Sequence, residues 1–188
     1  MINAGKQIAI AETYLTMKKI LGRFRIELAL IGGWAVKFYA NPMPTMDIDF
    51  LCGIGLMDIV QDRYGYAGLY EKMMDAGFDR LRLQDSGQMI KDGFLVIMGY
   101  IKNIRIDLFY ADTRFRQIAL SRAEIYKIAN VPVKIIGIRD LITMKTISTR
   151  PKDEKHLSLL VPKAGLTSAD RREIDCLAAQ ELEERGLL

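Results

Sequence analysis

Histidine occurs once in these 188 residues, tryptophan once and cysteine twice. A single imidazole, His156, cannot build a histidine metal cluster, and a surface or helix-end position is expected for it. Cys52 and Cys176 lie far apart and without metal-ligand spacing, so reduced thiols in a cytoplasm are expected. No apolar run reaches the length of a membrane span, and the N-terminus lacks a signal-peptide pattern, so no membrane partner is expected. Repeats, low-complexity tracts and long basic runs are also missing. What is present is apolar: such residues make up 50% of the chain, which argues against disorder and for one domain with at most a small appendage.

The net charge of +4, with a pI near 9.0, permits an RNA partner. The cations are spread through the chain, at Lys18, Lys19, Arg23, Arg25, Arg80, Arg82, Arg114, Arg116, Arg171 and Arg172 among others. They either assemble into a patch on folding or form a scattered solubilising surface.

Two short stretches carry the chemistry. The apolar run Ile26–Ile31 reads as a buried strand that delivers the chain into Gly32-Gly33, and a helix follows. The next strand holds Asp47-Ile48-Asp49. Side chains alternate across a strand, so Asp47 and Asp49 share one face while Met46, Ile48 and Phe50 take the other. A rise of roughly 3.3 Å per residue separates the two aspartates by about 6–7 Å at Cα. Carboxylates converging from that separation suit two cations about 3.5–4 Å apart.

A two-metal site wants a third carboxylate. In Ile104–Phe109 the residues Ile104, Ile106 and Leu108 share one face, which leaves Asp107 with Arg105 and Phe109 on the other. If this strand lies beside the first, Asp107 completes a triad. The bland alternatives are a turn at Gly-Gly and a solvated strand edge at Asp-x-Asp. An EF-hand loop fails, because Leu51 would have to be a ligand and Asp58 stands where the bidentate glutamate belongs.

The segments Ile31-Gly32-Gly33-Trp34-Ala35-Val36 and Thr45-Met46-Asp47-Ile48-Asp49-Phe50 resemble the DNA-polymerase-beta-type nucleotidyltransferase superfamily. The similarity is closest to small bacterial nucleotidyltransferases that include AbiEii-type toxins. Asp140-Leu141 with Lys145, and Arg150-Pro151-Lys152-Asp153, match the later motifs of those proteins, so the resemblance runs from Ile26 to His156. It departs at Met43, where an arginine is usual, and at His156, where relatives often carry an aspartate.

The resemblance implies an α/β fold: a mixed nucleotidyltransferase sheet flanked by helices, with a small helical C-terminal part. It implies that Gly32 and Gly33 let the backbone approach the phosphates of an NTP such as ATP, with amide groups as donors. Asp47, Asp49 and Asp107 would hold two magnesium or manganese ions. An acceptor hydroxyl activated there attacks the α-phosphate, with Asp107 the candidate proton acceptor.

Several residues keep two readings. Lys145, in the expected helix Arg139–Thr149, is a triphosphate contact or a snorkelling helix lysine. Arg105 touches phosphate or pairs with Asp107. Arg150 and Lys152 flank Pro151 at a helix boundary and mark that boundary or meet phosphate. Trp34 packs a helix on the sheet or stacks on a base, with packing favoured. Tyr66 and Tyr70 share a helix face.

The remaining pattern predicts helices near Gly5–Leu21, Tyr66–Ala76, Ile138–Thr149, Asp153–Leu160 and Ser168–Arg185. Thr167 or Ser168 would cap the last helix and Gly186 would stop it. Strands are expected near Phe94–Tyr100, Ile104–Tyr110, Glu124–Ile128 and Pro132–Ile136. The organisation expected is a catalytic core over 1–137 and a helical part over 138–188. Three functions fit: nucleotidyl transfer to RNA (a tRNA end) or to protein, as in toxin–antitoxin systems with an antitoxin partner; the same chemistry on a small molecule such as an aminoglycoside; or non-catalytic nucleotide or partner binding.

Overall fold

The computed structural model describes residues 4–40, 45–85, 87, 94–148 and 150–187. Helix α1 (Ala4–Gly22) leads into a short strand β1 (Leu28–Leu30), helix α2 (Gly32–Tyr39) and strand β2 (Asp47–Cys52). Helices α3 (Gly55–Gln61) and α4 (Arg63–Asp75) follow, then strands β3 (Phe78–Leu83), β4 (Leu95–Ile101) and β5 (Ile104–Tyr110). Helix α5 (Arg114–Ser121) and the hairpin β6 (Glu124–Ile128) and β7 (Val131–Ile135) precede helices α6 (Ile138–Thr146), α7 (Pro151–Leu160) and α8 (Ser168–Glu184).

The strands form one mixed sheet in the order β3-β4-β5-β2-β1-β7-β6. Its centre pairs β2 with β5 in parallel and β2 with β1 antiparallel, and β1 runs parallel to β7. The fold is therefore the expected mixed sheet flanked by helices. Ile48, Phe50, Ile106 and Leu108 project into the core at 0–1% exposure. Burial of each contributes about 1.5–3 kcal/mol. The ring of Tyr14 from α1 meets Phe50 at 6.2 Å, so α1 closes that apolar face, with α4 beside it against β3. Helix α2 packs on β2, α6 and α7, α6 packs on α7 and α8, α3 packs on α4, and α5 packs on α8.

Differences from expectation have local causes. The first strand begins at Leu28 rather than Ile26, because the Ile26 N–H still bonds to the Leu21 carbonyl at the end of α1. Helix α4 starts three residues before Tyr66, where the Asp62 side chain accepts from the Gly65 N–H at 2.6 Å. Helix α6 stops at Thr146, short of Thr149, which lies outside the described residues. Thr167, not Ser168, caps α8 in a reciprocal capping box with Asp170. Helices α3 and α5 and strand β3 were not anticipated.

An ion-pair knot ties α8 to the corner after β5. Glu181, fully buried, accepts from Arg116 Nε at 2.7 Å and from Arg185 Nε at 3.1 Å, and Arg185 also bridges to Asp112 at 2.8 Å.

Candidate active site

Strand β2 presents Asp47 and Asp49 on the face opposite Ile48 and Phe50, as the alternation requires. Met46 does not join the apolar face. It precedes the strand and is 81% exposed. Strand β5 lies directly beside β2, with Asp107 opposite Asp49 and Arg105 opposite Asp47. Each of the three aspartates offers a carboxylate oxygen within 4.8 Å of the others. The three predicted carboxylates thus meet, two half-buried and Asp107 buried.

Close packing sets their orientation. Gly32 sits at φ +63°, and a Cβ built there would fall 1.7 Å from Asp49 Oδ2. Only glycine fits that approach. A Cβ on Gly33 would lie 2.7 Å from Thr45 Oγ1, and that hydroxyl donates to Asp47 Oδ1 at 2.6 Å. The Ile31 N–H donates to the Asp49 carbonyl at 2.9 Å, which fastens the glycine turn to β2. Ile31 makes no side-chain cap, so the first-turn amides of α2 point out of the helix beside the carboxylates without intrahelical acceptors.

The electrostatics differ among the three. Burial, and then the charges of Asp47 and Asp107, push the Asp49 carboxyl up to about 7 from 3.8; the cations Lys145 and Lys152 oppose this. For Asp47 burial acts upward, but the Thr45 hydroxyl, its own backbone N–H, Lys152 and Arg105 together hold it below its ordinary value. Arg105 donates from Nε to Asp107 Oδ1 at 2.8 Å, so of its two readings the pairing with Asp107 is the one observed. Such a cluster suits a divalent cation: three carboxylates converge, and the proton affinity of the central one is raised by burial and then by its like-charged neighbours.

Lys145 does not snorkel. Its side chain is 9% exposed and its ammonium bridges to Asp153 Oδ1 at 2.6 Å. Asp153 is fully buried and also accepts from Ser148 Oγ at 2.6 Å and Arg150 Nε at 2.7 Å. His156 completes this hub, its Nδ1 3.3 Å from Asp153 Oδ1 and the residue only 2% exposed. The expected surface or helix-end position for His156 is thus wrong, because the buried carboxylate supplies the polar partner that lets an imidazole enter the core. Lys152 is exposed, and its charge reaches both Asp47 and Asp49. Arg150 pairs with Asp153 at the N-cap of α7. Trp34 is buried and packs α2, with Lys37 Nζ 4.5 Å from its ring centre. Tyr66 and Tyr70 lie 6.1 Å apart on one face of α4, and Met43 lies outside the described residues.

Sequence reasoning missed the roles of Thr45 and Asp153. The first had a signal, since Thr45 stands two residues before Asp47 on the same alternating face. The second stood in the Arg150-Pro151-Lys152-Asp153 motif, but nothing in the sequence showed that it would pair with Lys145.

No protein-family model matches the chain, and no curated protein matches it. Solved structures do. The chain is similar to an antigenic nucleotidyltransferase-like protein from Paracoccidioides brasiliensis, with 13% identity, a TM-score of 0.55, and coverage of 94% of this chain and 88% of that one. It is also similar to the antibiotic-resistance factor ANT(2'')-Ia in solution, with 12% identity, a TM-score of 0.54, and coverage of 98% and 95%. A crystal structure of ANT(2'')-Ia in complex with adenylyl-2''-tobramycin matches with 13% identity, a TM-score of 0.52, and coverage of 90% and 95%. At these identities the likeness is one of fold: the chain has the nucleotidyltransferase architecture.

Proposed function

We propose that this protein is a nucleotidyltransferase that moves a nucleoside monophosphate from an NTP to a hydroxyl of RNA. The observation that carries the reading is the convergence of Asp47, Asp49 and Asp107 beside the glycine turn of α2 on a nucleotidyltransferase fold. Residues 1–137 supply the carboxylates and the turn, and residues 138–188 supply the cations Lys145 and Lys152.

Asp47, Asp49 and Asp107 would hold one or two magnesium ions, which when bound supply charge neutralisation for the triphosphate and acidify the acceptor hydroxyl. The amides of Gly32 and Gly33 and the ammonium of Lys152 face the phosphates, while Asp153 holds Lys145 in place. Arg105 orients Asp107 through the bond to Oδ1. The acceptor oxygen bonds to the α-phosphorus, the bond to the bridging oxygen breaks, pyrophosphate leaves, and a carboxylate oxygen of Asp107 takes the hydroxyl proton. The similarity of the motifs to AbiEii-type toxins supports a tRNA end as acceptor and a place in a toxin–antitoxin system.

The test is transfer of α-labelled ATP, CTP, GTP and UTP with Mg²⁺ onto total RNA and total cytoplasmic protein, with Asp49→Ala alongside. Label on RNA that vanishes in the variant is expected. Label on protein instead would replace the acceptor, and an active Asp49→Ala protein would refute the site.

A further inference from the structure

The face of the sheet that carries the carboxylates does not end at β5. Register continues it across β4 to the edge strand: Asp107 stands opposite Met98, and Met98 opposite Arg82. In the next row Arg105 stands opposite Tyr100, and Tyr100 opposite Asp79. Partners across a ladder project to the same side, so Arg105, Met98, Tyr100, Asp79 and Arg82 extend the triad's own surface. Met98, Tyr100 and Arg105 are half-buried, and Asp79 and Arg82 are exposed.

A bulge in β3, between Asp79 and Arg82, turns a further side chain onto this face. Arg80 occupies it with φ +50°, a left-handed conformation unusual for arginine. The guanidinium carbon lies 3.8 Å from the centre of the Tyr100 ring, and Nε bonds to Asp79 Oδ1 at 3.0 Å. A second bond, 3.4 Å from NH2 to Asn103 Oδ1, fixes the plane. The arginine is thus held flat on an aromatic ring with 53% of its side chain exposed.

We infer that this Arg80–Tyr100 shelf, with Arg82 and Arg105 around it, is the docking platform for a single-stranded RNA acceptor. The inference rests on the nucleotidyl-transfer reading for its direction: the glycine turn, Lys145 and Lys152 occupy the β1 side of the triad, which leaves the β4–β3 side to the acceptor. Charge chooses the class. Among the described residues of this shelf three guanidiniums, Arg80, Arg82 and Arg105, meet two carboxylates, Asp79 and Asp107, so the shelf carries a net positive charge that attracts a polyanion and repels a polycationic small molecule. Geometry chooses the form. Exposed guanidinium planes and aromatic edges stack on unpaired bases, whereas a duplex hides its bases from such a shelf.

The test measures binding of a labelled single-stranded RNA of about 12 nucleotides by fluorescence anisotropy, on the full chain. A duplex of the same sequence is measured in parallel. Arg80→Ala and Tyr100→Leu are each expected to weaken the single strand about tenfold. Arg80→Lys stays weak because it keeps the charge and loses the plane, and Arg82→Ala lowers the salt dependence by about one phosphate contact. Thermal melting and Mg·NTP binding of each variant separate loss of the shelf from loss of the fold. Unchanged RNA affinity in the variants, duplex bound as well as the single strand, or no RNA binding by the wild type overturns the inference. Single-strand binding that depends on the shelf, in a protein that transfers no label, would leave the platform standing and sink the proposed chemistry. Label on protein with no RNA binding would do the reverse.

Discussion

Replacing Asp49 by Asn is expected to stabilise the metal-free protein while abolishing its chemistry. Burial, and then the like charges of Asp47 and Asp107, push the Asp49 carboxyl up to about 7. At about 1.36 kcal/mol for each tenfold in proton affinity, carrying that charge above neutrality costs the fold on the order of 4 kcal/mol. Relaxation around a half-buried carboxylate reduces the observable share to ~2–3 kcal/mol. A chain of this length gains about 2–4 °C in Tm per kcal/mol, so Asp49→Asn should melt about 5–10 °C above the wild type near pH 8 in EDTA.

The pH dependence has a definite sign. Between its ordinary value of 3.8 and about 7, Asp49 keeps a proton in the folded state that the unfolded chain has released. Wild-type stability from this group therefore falls as pH rises through that window, and the penalty is complete above it. Near pH 4, at the foot of that window, the two proteins should melt nearly together. Added Mg²⁺ should raise the wild type, by about 2.7 kcal/mol at a hundredfold excess over Kd, and leave the variant behind. Differential scanning calorimetry with EDTA or Mg²⁺ at the two pH values measures every arm. Equal melting near pH 8 in EDTA, or a gap that ignores pH, would refute the reasoning.

Gly32→Ala should abolish transfer and lower stability by about 1–3 kcal/mol, because its Cβ would collide with Asp49 Oδ2 at a φ of +63°; activity and chemical denaturation report both. Thr45→Val removes the hydroxyl that donates to Asp47, and about a 10–100-fold loss of metal affinity or activity with an unchanged melting curve is expected by calorimetric Mg²⁺ titration. Asp153→Ala leaves Lys145 buried without its counter-charge and should cost about 3–5 kcal/mol in urea unfolding. Burial works against the Asp153 charge, but bonds from His156, Lys145 and Ser148 hold its pKa far below the ordinary value. Its stabilisation is thus present above that value and lost as pH falls below it, so the variant should lose most of the wild type's acid sensitivity.

Legibility followed periodicity. Strict alternation around Asp47, Asp49 and Asp107 revealed which face of each strand carries the carboxylates, whereas the neighbouring of β2 and β5 was a condition that only the parallel pairing supplies. Strand β3 was invisible for the opposite reason. Its bulge places Asp79 and Arg82 on one face with two residues between them, so the segment Phe78–Leu83 reads as charged and aperiodic. Helices α3 and α5, seven and eight residues long, are too short for a 3.6-residue pattern to stand out. His156 and Glu181 defeated the rule that polar residues face water. Each is buried against a partner, Asp153 three residues away for His156 and Arg116 of α5 for Glu181, and it is the second meeting of which local sequence holds no record.

The missing side chain at Gly32 also has an ancestral meaning. Where an alanine would press into a carboxylate oxygen, a side chain at 32 and an acid at 49 exclude each other on this backbone. Removing the acid at 49 lifts the collision but leaves the left-handed φ of +63°, so position 32 stays strained for any other residue, whereas a side chain placed at 32 first displaces the acid. In any descendant of this chain, a side chain at 32 would mark a displaced or lost acid seventeen residues away, while a glycine there would not prove the acid kept.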